Sequence, residues 1–302
     1  MKPFRKRLRD RALDLVVRAF FGVGMRVPYR VRVRAMGWVG SHLFAPLAGY
    51  RRRIRENLAL VCPDLPRAEV RRLTRAVPDN AVRTLVEIFS GAEFARVACN
   101  AEVSGAEGLA AIEAAQAAGR PVILISGHFG NYDVARAVLA ARGLRVGGLY
   151  NPMSNPHFNA RYVAAIGAIS QPVFPRGRRG LADMVRFLRG GGILGMLIDQ
   201  HMDNGAPLRF FGRTAWTALS AAEMALKFDA LVVPVYGRRR ADGISFELIV
   251  EPPVPHGTPE AMTQALNDSL EAQVRTHMDQ WFWVHRRWKE MAAPAGGAPA
   301  AP

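Results

Sequence analysis

A histidine and an aspartate lie five residues apart in the segment Ile125-Ser-Gly-His-Phe-Gly-Asn-Tyr-Asp133. A carboxylate bonded to one imidazole nitrogen fixes the tautomer of the ring and leaves the other nitrogen available as a general base. Five residues of regular helix would rotate His128 and Asp133 apart by about 140°, so a helix alone would not join them. Gly127 and Gly130 allow a tight turn that would fold Asp133 back onto the imidazole. The same residues also suit capping or turn roles, so the spacing alone leaves both interpretations open.

The elements around this segment favour the chemical interpretation. Residues 121–126 form a short β-rich run, and residues 133–142 follow it with a helical pattern. In that position His128 would deprotonate a substrate hydroxyl without any protein nucleophile. Backbone N–H groups at the start of the following helix would then stabilise an oxyanion.

The rest of the chain alternates predicted helices with predicted strands. Residues 51–100 are predicted to be helical, with Pro63, Pro66 and Pro78 as interruptions. Further strands are expected at 145–150, 171–174, 193–198, 231–236 and 244–250, and further helices at 156–166, 180–188, 217–228 and 259–283. This alternation predicts an α/β fold with a mixed, mostly parallel sheet that helices cover on both faces.

In sheets of this kind, ligands bind beyond the carboxyl ends of the strands. The relevant segments follow Ser126, Tyr150, Phe174 and Ile198, and the polar side chains of interest lie in these segments. We therefore expect the functional site along one edge of the sheet.

Positive charge is concentrated in the N-terminal fifth of the chain. The 302 residues carry 41 Lys+Arg and 25 Asp+Glu, for a formal net charge of +16, and residues 1–60 contribute +12 (15 Lys/Arg less 3 Asp/Glu). Leu13, Val16, Val17 and Phe20 recur at helical spacing, which predicts an amphipathic helix. Such a helix among basic residues is typical of proteins that bind an anionic membrane surface. A nucleic acid partner is disfavoured because the nearby aromatic residues lie in apolar runs, and a packed helical pair with a solvated basic face is the other alternative.

No transmembrane segment or secretory signal peptide is evident in the sequence. The longest uncharged run, residues 35–50, contains His42 and Pro46, whereas a spanning helix needs about 20 apolar residues. We predict a basic amphipathic membrane-associating segment at 1–50, an α/β domain at 51–291 and a disordered Ala/Pro/Gly tail at 292–302. Cys62 and Cys99 match no disulfide framework or metal motif, which favours a reducing compartment and predicts no metal site.

Several motifs together resemble those of the late acyltransferases of lipid A biosynthesis, within the lysophospholipid acyltransferase superfamily. The His-x4-Asp pattern after a strand is similar to that of glycerolipid and lipid A acyltransferases. The other motifs are Arg55-Glu-Asn-Leu58 before Cys62-Pro-Asp, Tyr150-Asn-Pro, Ile198-Asp-Gln, Phe210-Phe-Gly and Trp283-Val-His-Arg-Arg-Trp-Lys289. They extend over most of the chain, and the Asp-Gln, Phe-Phe-Gly and His-Arg-Arg-Trp-Lys elements together are specific to the lipid A branch.

The resemblance implies an α/β enzyme at the cytoplasmic face of a bacterial inner membrane. It implies transfer of a fatty acyl chain from a thioester to a hydroxyl of a lipid A precursor, with no bound cofactor. Acyl-carrier protein is the implied donor, and a coenzyme A thioester is the alternative. His128 becomes the general base and Asp133 its orienting acid.

Four further residues are predicted to lie near substrate. Asp199 matches an acidic position that the family uses near the active site, and Asn131 offers a polar contact beside His128. In the stretch Phe174-Pro-Arg-Gly-Arg-Arg179, Arg178 is the preferred ligand for an anionic substrate, because Arg binds phosphate bidentately. Arg161 is a second candidate.

Two features depart from the family's best-known members. Those proteins carry Glu where this chain has Asp133, and they begin with a more convincing membrane-spanning helix. A lysophospholipid or another lyso-lipid, such as an aminolipid, is the alternative acceptor. A non-catalytic basic protein that binds a membrane surface or nucleic acid would instead tolerate substitution at His128 and Asp133.

Overall fold

The computed structural model describes residue 24 and residues 26–289. The predicted amphipathic helix around Leu13, Val16, Val17 and Phe20 lies outside the described residues, and so does the predicted tail at 292–302.

The first part of the described chain is helical. It comprises α1 (Tyr29–Val39), a π-helical turn (Gly40–Phe44), α2 (Ala45–Leu47), α3 (Tyr50–Val61), α4 (Arg67–Phe89) and α5 (Ala92–Ala98). Pro78 lies inside α4 and does not interrupt it, contrary to the sequence expectation. Tertiary packing outweighs the lost N–H group, since a Cβ atom added to Gly40 would lie 2.4 Å from the Val82 side chain of α4.

The remaining elements are mostly alternating strands and helices. They are β1 (Glu102–Ser104), α6 (Ala106–Ala117), β2 (Val122–Ser126), α7 (Val134–Ala141), β3 (Val146–Tyr150), α8 (Pro156–Ile169), β4 (Val173–Pro175), α9 (Arg178–Arg189), β5 (Ile193–Leu197), β6 (Ala206–Phe210), β7 (Arg213–Thr217), α10 (Ser220–Phe228), β8 (Leu231–Arg239), β9 (Phe246–Val250), α11 (Pro259–Thr276) and a 3-10 turn (Met278–Gln280).

The main sheet has the strand order β1-β9-β8-β2-β5-β3-β4. Strands β8, β2, β5, β3 and β4 are parallel to one another, and β9 pairs with β8 in the antiparallel sense. The central strand β2 is fully buried, as expected for a strand covered on both faces. The predicted α/β class with a mixed, mostly parallel sheet is confirmed.

Further features differ from the sequence expectations, which include neither β1 nor α6. The hairpin of β6 and β7 was not predicted; its two-residue turn, Phe211-Gly212, has positive φ at both positions (53° and 71°), as a tight hairpin of this kind requires. The final helix ends at Thr276, short of the predicted residue 283, because the chain turns there and Trp281 pairs with Phe129 beside the end of β2. Among the described residues, no helix combines the length and apolar character needed to cross a bilayer.

Candidate active site

His128 and Asp199 lie beyond the carboxyl ends of two neighbouring strands. Strands β2 and β5 are paired in parallel, with Ser126 opposite Leu197 as their last pair. Each of the two polar residues follows that pair by two positions, so both emerge at the same edge of the sheet. His128 Nδ1 lies 2.8 Å from Asp199 Oδ1, and the His128 backbone N–H donates to Asp199 Oδ2 at 2.8 Å.

The Asp199 carboxylate is occupied by contacts within the protein. The Trp281 indole N–H donates to its Oδ2 at 2.9 Å, and the side chain is 3 % exposed. An ionised carboxylate only accepts hydrogen bonds, so the His128 proton resides on Nδ1 and the lone pair of the neutral ring lies on Nε2. Asp199 therefore orients the His128 ring, and the contact with substrate that the sequence predicts for Asp199 stays a prediction.

Electrostatics support the same division of roles. Burial disfavours the His128 imidazolium, but the charge and hydrogen bond of Asp199 outweigh burial and raise the His128 pKa above its ordinary value of 6.5. Burial alone would raise the pKa of Asp199. The nearby His128 charge and the hydrogen bonds from His128 and Trp281 lower that pKa well below its ordinary range. The carboxylate stays ionised, and the imidazole retains the basicity that proton abstraction needs.

Asp133 does not pair with His128, contrary to the sequence prediction. Its Oδ1 lies 2.6 Å from Arg136 Nη1, and the side chain is buried at the start of α7. Arg136 Nη2 also donates to the carbonyl of Ser170 at 2.6 Å, so this ion pair joins the start of α7 to the end of α8. The physical reason is local: Asp133 precedes α7, whose first turn supplies Arg136 as a charged partner, and Asp199 already occupies the imidazole nitrogen.

The loop between β2 and α7 is tightly fixed. Gly130 has a positive φ of 52°, and a Cβ atom there would lie 2.0 Å from the Gly237 carbonyl oxygen. A Cβ atom on Gly127 would lie 2.7 Å from the Leu270 side chain. The predicted tight turn at these glycines is confirmed, although it directs His128 towards Asp199.

Six backbone N–H groups of this loop are already used within the protein. Those of His128, Phe129, Gly130, Asn131, Asp133 and Val134 donate to other protein oxygens. The sequence expectation that N–H groups at the helix start stabilise an oxyanion is therefore corrected for these positions, because each hydrogen has an acceptor in the fold.

Asn131 is completely buried and does not contact the site cavity. Its Nδ2 donates to Glu87 Oε2 at 2.9 Å, and its Oδ1 accepts the Asp133 backbone N–H at 3.0 Å. Glu87 is paired in turn with Arg239 of β8. The structure does not bring Asn131 to the cavity wall; its amide holds the loop against α4.

A cavity of about 850 Å³ opens beside His128. Polar side chains at its wall include Ser126, Asp133 and Arg136. Much of the wall is apolar, including Leu149, Ile166, Leu181, Met184, Met196 and Met224. A space of this size and character suits an aliphatic chain next to a reactive polar group. The described residues hold no group of three or more His, Cys, Asp or Glu side chains that would bind a metal ion.

The predicted arginines differ in whether they line the cavity. Arg176 lines it, and its backbone N–H donates to the Tyr150 carbonyl at 2.7 Å across the ends of β4 and β3. Arg178 is exposed at the start of α9 and does not line the cavity, and neither does Arg161 of α8. Within the predicted basic stretch, the arginine at the cavity is therefore Arg176 and not the preferred Arg178.

Sequence reasoning missed the aromatic side chains that contact the His128–Asp199 pair, among them Tyr132 and Trp281. The Tyr132 ring packs edge-on against the imidazole with centroids 5.4 Å apart, and Tyr132 also lines the cavity. Trp281 anchors Asp199 from a segment more than 80 residues away. Tyr132 lies inside the His-x4-Asp motif, so its position was the available signal, whereas nothing in the sequence placed Trp281 there.

Two separated motifs hold the C-terminal segment against the helical part. Asn57, from the Arg-Glu-Asn-Leu motif, donates through Nδ2 to the carbonyls of Trp283 and His285 at 2.6 and 2.8 Å. Arg287 is buried, and its guanidinium donates to Thr217 Oγ1 at 2.6 Å. These motifs build the frame around Trp281 and do not line the cavity themselves.

Comparison with known proteins identifies the family of this chain. A family model described as bacterial lipid A biosynthesis acyltransferase matches residues 2–290. The chain is 24% identical over 274 residues to the lipid A biosynthesis acyltransferase of Haemophilus influenzae, which covers 85% of this chain and 81% of that protein. It is 24% identical over 286 residues to the lipid A biosynthesis lauroyltransferase of Escherichia coli, which covers 89% and 90%.

A further relative is named for a different substrate. The chain is 24% identical over 185 residues to a phosphatidylinositol mannoside acyltransferase of Mycobacterium tuberculosis, which covers 60% of this chain and 58% of that protein. The family match, in contrast, extends over nearly the whole sequence and includes both strand-end residues of the site. The chain therefore belongs to the bacterial lipid A biosynthesis acyltransferase family, and it is an acyltransferase.

Proposed function

We propose that this protein transfers a fatty acyl chain from a thioester to a hydroxyl of a lipid A precursor, with His128 as the general base. The observation that carries the proposal is the Asp199-oriented imidazole at the wall of a largely apolar cavity, in a chain of this family. Asp199 takes the orienting role that the sequence had suggested for Asp133.

The reaction needs one base and no covalent enzyme intermediate. His128 Nε2 accepts the proton of the acceptor hydroxyl as its oxygen attacks the thioester carbonyl carbon. The new C–O bond gives a tetrahedral oxyanion, which collapses as the C–S bond breaks. The leaving thiolate then accepts this proton from the imidazolium. Asp199 stabilises the imidazolium while the ring is charged.

Tyr132 is the proposed donor to the oxyanion, because the loop N–H groups beside His128 are already used. Its ring lies against the imidazole at the cavity wall. Burial, with smaller contributions from Tyr162 and nearby carboxylates, raises the pKa of Tyr132 well above its ordinary value of 10. The phenol therefore stays protonated at physiological pH and can donate a hydrogen bond.

Charge and the family support a proposal for the donor and the location. We propose acyl-carrier protein as donor, with a coenzyme A thioester as the alternative, no bound cofactor, and association with the cytoplasmic face of a bacterial inner membrane. An acidic carrier protein and anionic lipid would both be attracted by the surplus of 41 Lys+Arg over 25 Asp+Glu. Arg176, at the cavity rim, would contact an anionic part of donor or acceptor.

A second candidate acceptor is a lyso-lipid. The similarity to a phosphatidylinositol mannoside acyltransferase favours it, because that relative's name gives a different glycolipid acceptor. The chemistry at His128 would be the same, and the acceptor alone would differ.

The test uses the purified full chain with two donors, an acyl-carrier protein thioester and an acyl coenzyme A thioester, each with an isotopically labelled acyl chain. Each donor is offered with a lipid A precursor and with a lysophospholipid, and the products are identified by mass spectrometry. We expect labelled acyl lipid A precursor from the carrier-protein donor, loss of at least about 10²-fold in His128→Ala, and full activity in His157→Ala, an exposed histidine outside the cavity. Acylation of the lyso-lipid alone would show that the second candidate is the acceptor. Near-normal turnover by His128→Ala would overturn the proposal that His128 is the general base.

A further inference from the structure

Large exposed apolar side chains are concentrated on one short stretch of the described chain. Leu47 is 89 % exposed, and Trp38, Leu43 and Phe44 are each more than half exposed. Among the described residues, eight large apolar side chains are exposed, and five of them lie between residues 31 and 47. We call residues 38–47, which cover the end of α1, the π-helical turn and α2, the docking segment.

Exposed basic residues lie on the two helices that flank this segment in the chain. Arg26, Arg30, Arg34, Arg52 and Arg55 are exposed on or beside α1 and α3. Glu56 is the only acidic residue between positions 26 and 61, and it pairs with Arg52. Exposed aromatic and aliphatic side chains with an arginine border are the combination that an anionic lipid surface accommodates, because the bilayer takes both the apolar groups and the charge.

A row of aromatic rings connects the docking segment to the base. The Phe44 ring lies 5.6 Å from that of Tyr50, and the Tyr50 ring lies 6.5 Å from that of Phe282. The Phe282 ring lies 6.3 Å from the His128 imidazole. The exposed apolar surface and the reactive nitrogen are therefore separated by only two intervening rings.

We propose that the docking segment inserts its apolar side chains into the anionic leaflet of a bilayer and thereby holds the His128 side of the molecule against the lipid surface. This deepens the proposed function, and it rests on that function for the identity of the acceptor as a membrane lipid. The aromatic row borders the path by which an acceptor headgroup leaves the leaflet for the cavity.

Charge argues against two other occupants of this surface. A second copy of the chain would bring two arginine-bordered surfaces together, and like charges repel. Residues 1–23 carry seven Lys/Arg and two Asp/Glu, so they too bring positive charge to a positive border. An anionic bilayer is the occupant that matches both the apolar centre and the basic border.

Binding of the full chain to vesicles tests the proposal. Vesicles of phosphatidylcholine alone are compared with vesicles containing about one third phosphatidylglycerol. We expect the triple variant Leu43→Gln/Phe44→Gln/Leu47→Gln to partition into the anionic vesicles at least about tenfold less than the wild type, because three large apolar contacts are lost. Leu47→Gln should lose part of that affinity. Leu226→Gln, which alters an exposed leucine on α10, should lose none.

Trp38 supplies a local reporter of insertion. Its ring is 55 % exposed, whereas Trp281 and Trp283 are buried. Brominated lipid should quench fluorescence in the wild type, and Trp38→Phe should remove most of that quenching. Thermal unfolding of every variant shows whether the fold is kept; the altered side chains are exposed, so the midpoint should not move.

Three outcomes would overturn the docking proposal. They are vesicle binding by the triple variant equal to that of the wild type, absence of Trp38 quenching, and a wild-type dimer that the triple variant dissociates without any vesicle binding. Failure of the proposed function gives a different result, in which the wild type docks through this segment and no donor supports acyl transfer. His128→Ala should dock like the wild type and transfer nothing.

Discussion

Two buried aspartates near His128 have different partners, although both lie close to the end of a strand. Asp199 lies 71 residues from His128 along the chain and is hydrogen-bonded to its ring, whereas Asp133 lies five residues away and pairs with Arg136. Neighbouring strands end side by side, so equal offsets beyond β2 and β5 place two side chains in contact. A helix start directs its side chains towards its own first turn. Proximity in sequence was therefore a poorer guide than proximity in the sheet.

The largest expected effect that separates the two aspartates is on turnover. Asp199→Asn keeps the size of the side chain but removes the charge that orients and stabilises the His128 imidazolium. We expect kcat to fall by about 10²-fold or more, measured as acyl transfer by the purified chain. Asp203→Asn, at an exposed carboxylate close in sequence, is the matched control and should retain full activity. Normal turnover by Asp199→Asn would show that the Asp199 charge does not support turnover.

The pH profile sharpens the same comparison. Only neutral His128 accepts a proton, so kcat/KM should fall as pH decreases through its pKa. The acid limb of the wild type should have its midpoint above pH 6.5, because Asp199 raises that pKa. In Asp199→Asn the burial that lowers the His128 pKa remains, but the carboxylate charge that raises this pKa is lost. The midpoint should therefore move below that of the wild type. Asp133→Asn should leave the midpoint in place, and a shift there as large as in Asp199→Asn would contradict the assignment.

Asp133 is expected to act on stability. Asp133→Asn leaves the buried Arg136 guanidinium without its charged partner, which costs about 3–5 kcal/mol of unfolding free energy at a buried ion pair. Denaturant unfolding measures the loss, and Asp133→Glu, which keeps the charge, should recover part of it. Loss of kcat in Asp133→Asn with unchanged unfolding free energy would instead place Asp133 in the chemistry.

A smaller effect is expected from the phenol beside the base. Tyr132→Phe keeps the ring that packs against His128 and removes the proposed oxyanion donor. Because one donor is lost while both base and acid remain, we expect kcat to fall about tenfold or more and KM to change little. The control is Tyr162→Phe, at a neighbouring phenol of α8. Equal losses in both variants would show that the hydroxyl of Tyr132 has no special role.

The smallest effect concerns the cavity rim. Arg176→Gln should raise KM for an anionic substrate by a few-fold, as expected for a partly solvated charge contact, while kcat is kept. Arg178→Gln alters an exposed arginine two residues away and should change neither constant. Steady-state kinetics on both variants make the measurement, and the reverse order of effects would restore the original sequence prediction for Arg178.

Local pattern predicted most of the regular elements because it reports local preferences. The buried run of β2 and the helices α8 and α9 lie close to the residues the sequence indicates. The β6–β7 hairpin was missed because its tight turn, Phe211-Gly212, requires positive φ at a phenylalanine, which residue type alone does not suggest. At the site, the sequence singled out His128, Asp133 and Asp199, but it predicted that His128 pairs with Asp133, whereas the structure pairs His128 with Asp199 and Asp133 with Arg136.

The sequence by itself determined the α/β class, the family and the histidine that faces the cavity, because these depend on residue types, periodicity and contiguous motifs. Only the tertiary structure decided which carboxylate orients that histidine. It also decided that the buried Asn131 amide donates to Glu87 and that the Trp281 indole donates to Asp199. The physical reason is the order of the strands. A parallel sheet joins segments far apart in the chain, and the pairing of β2 with β5 is a property of the whole packed molecule.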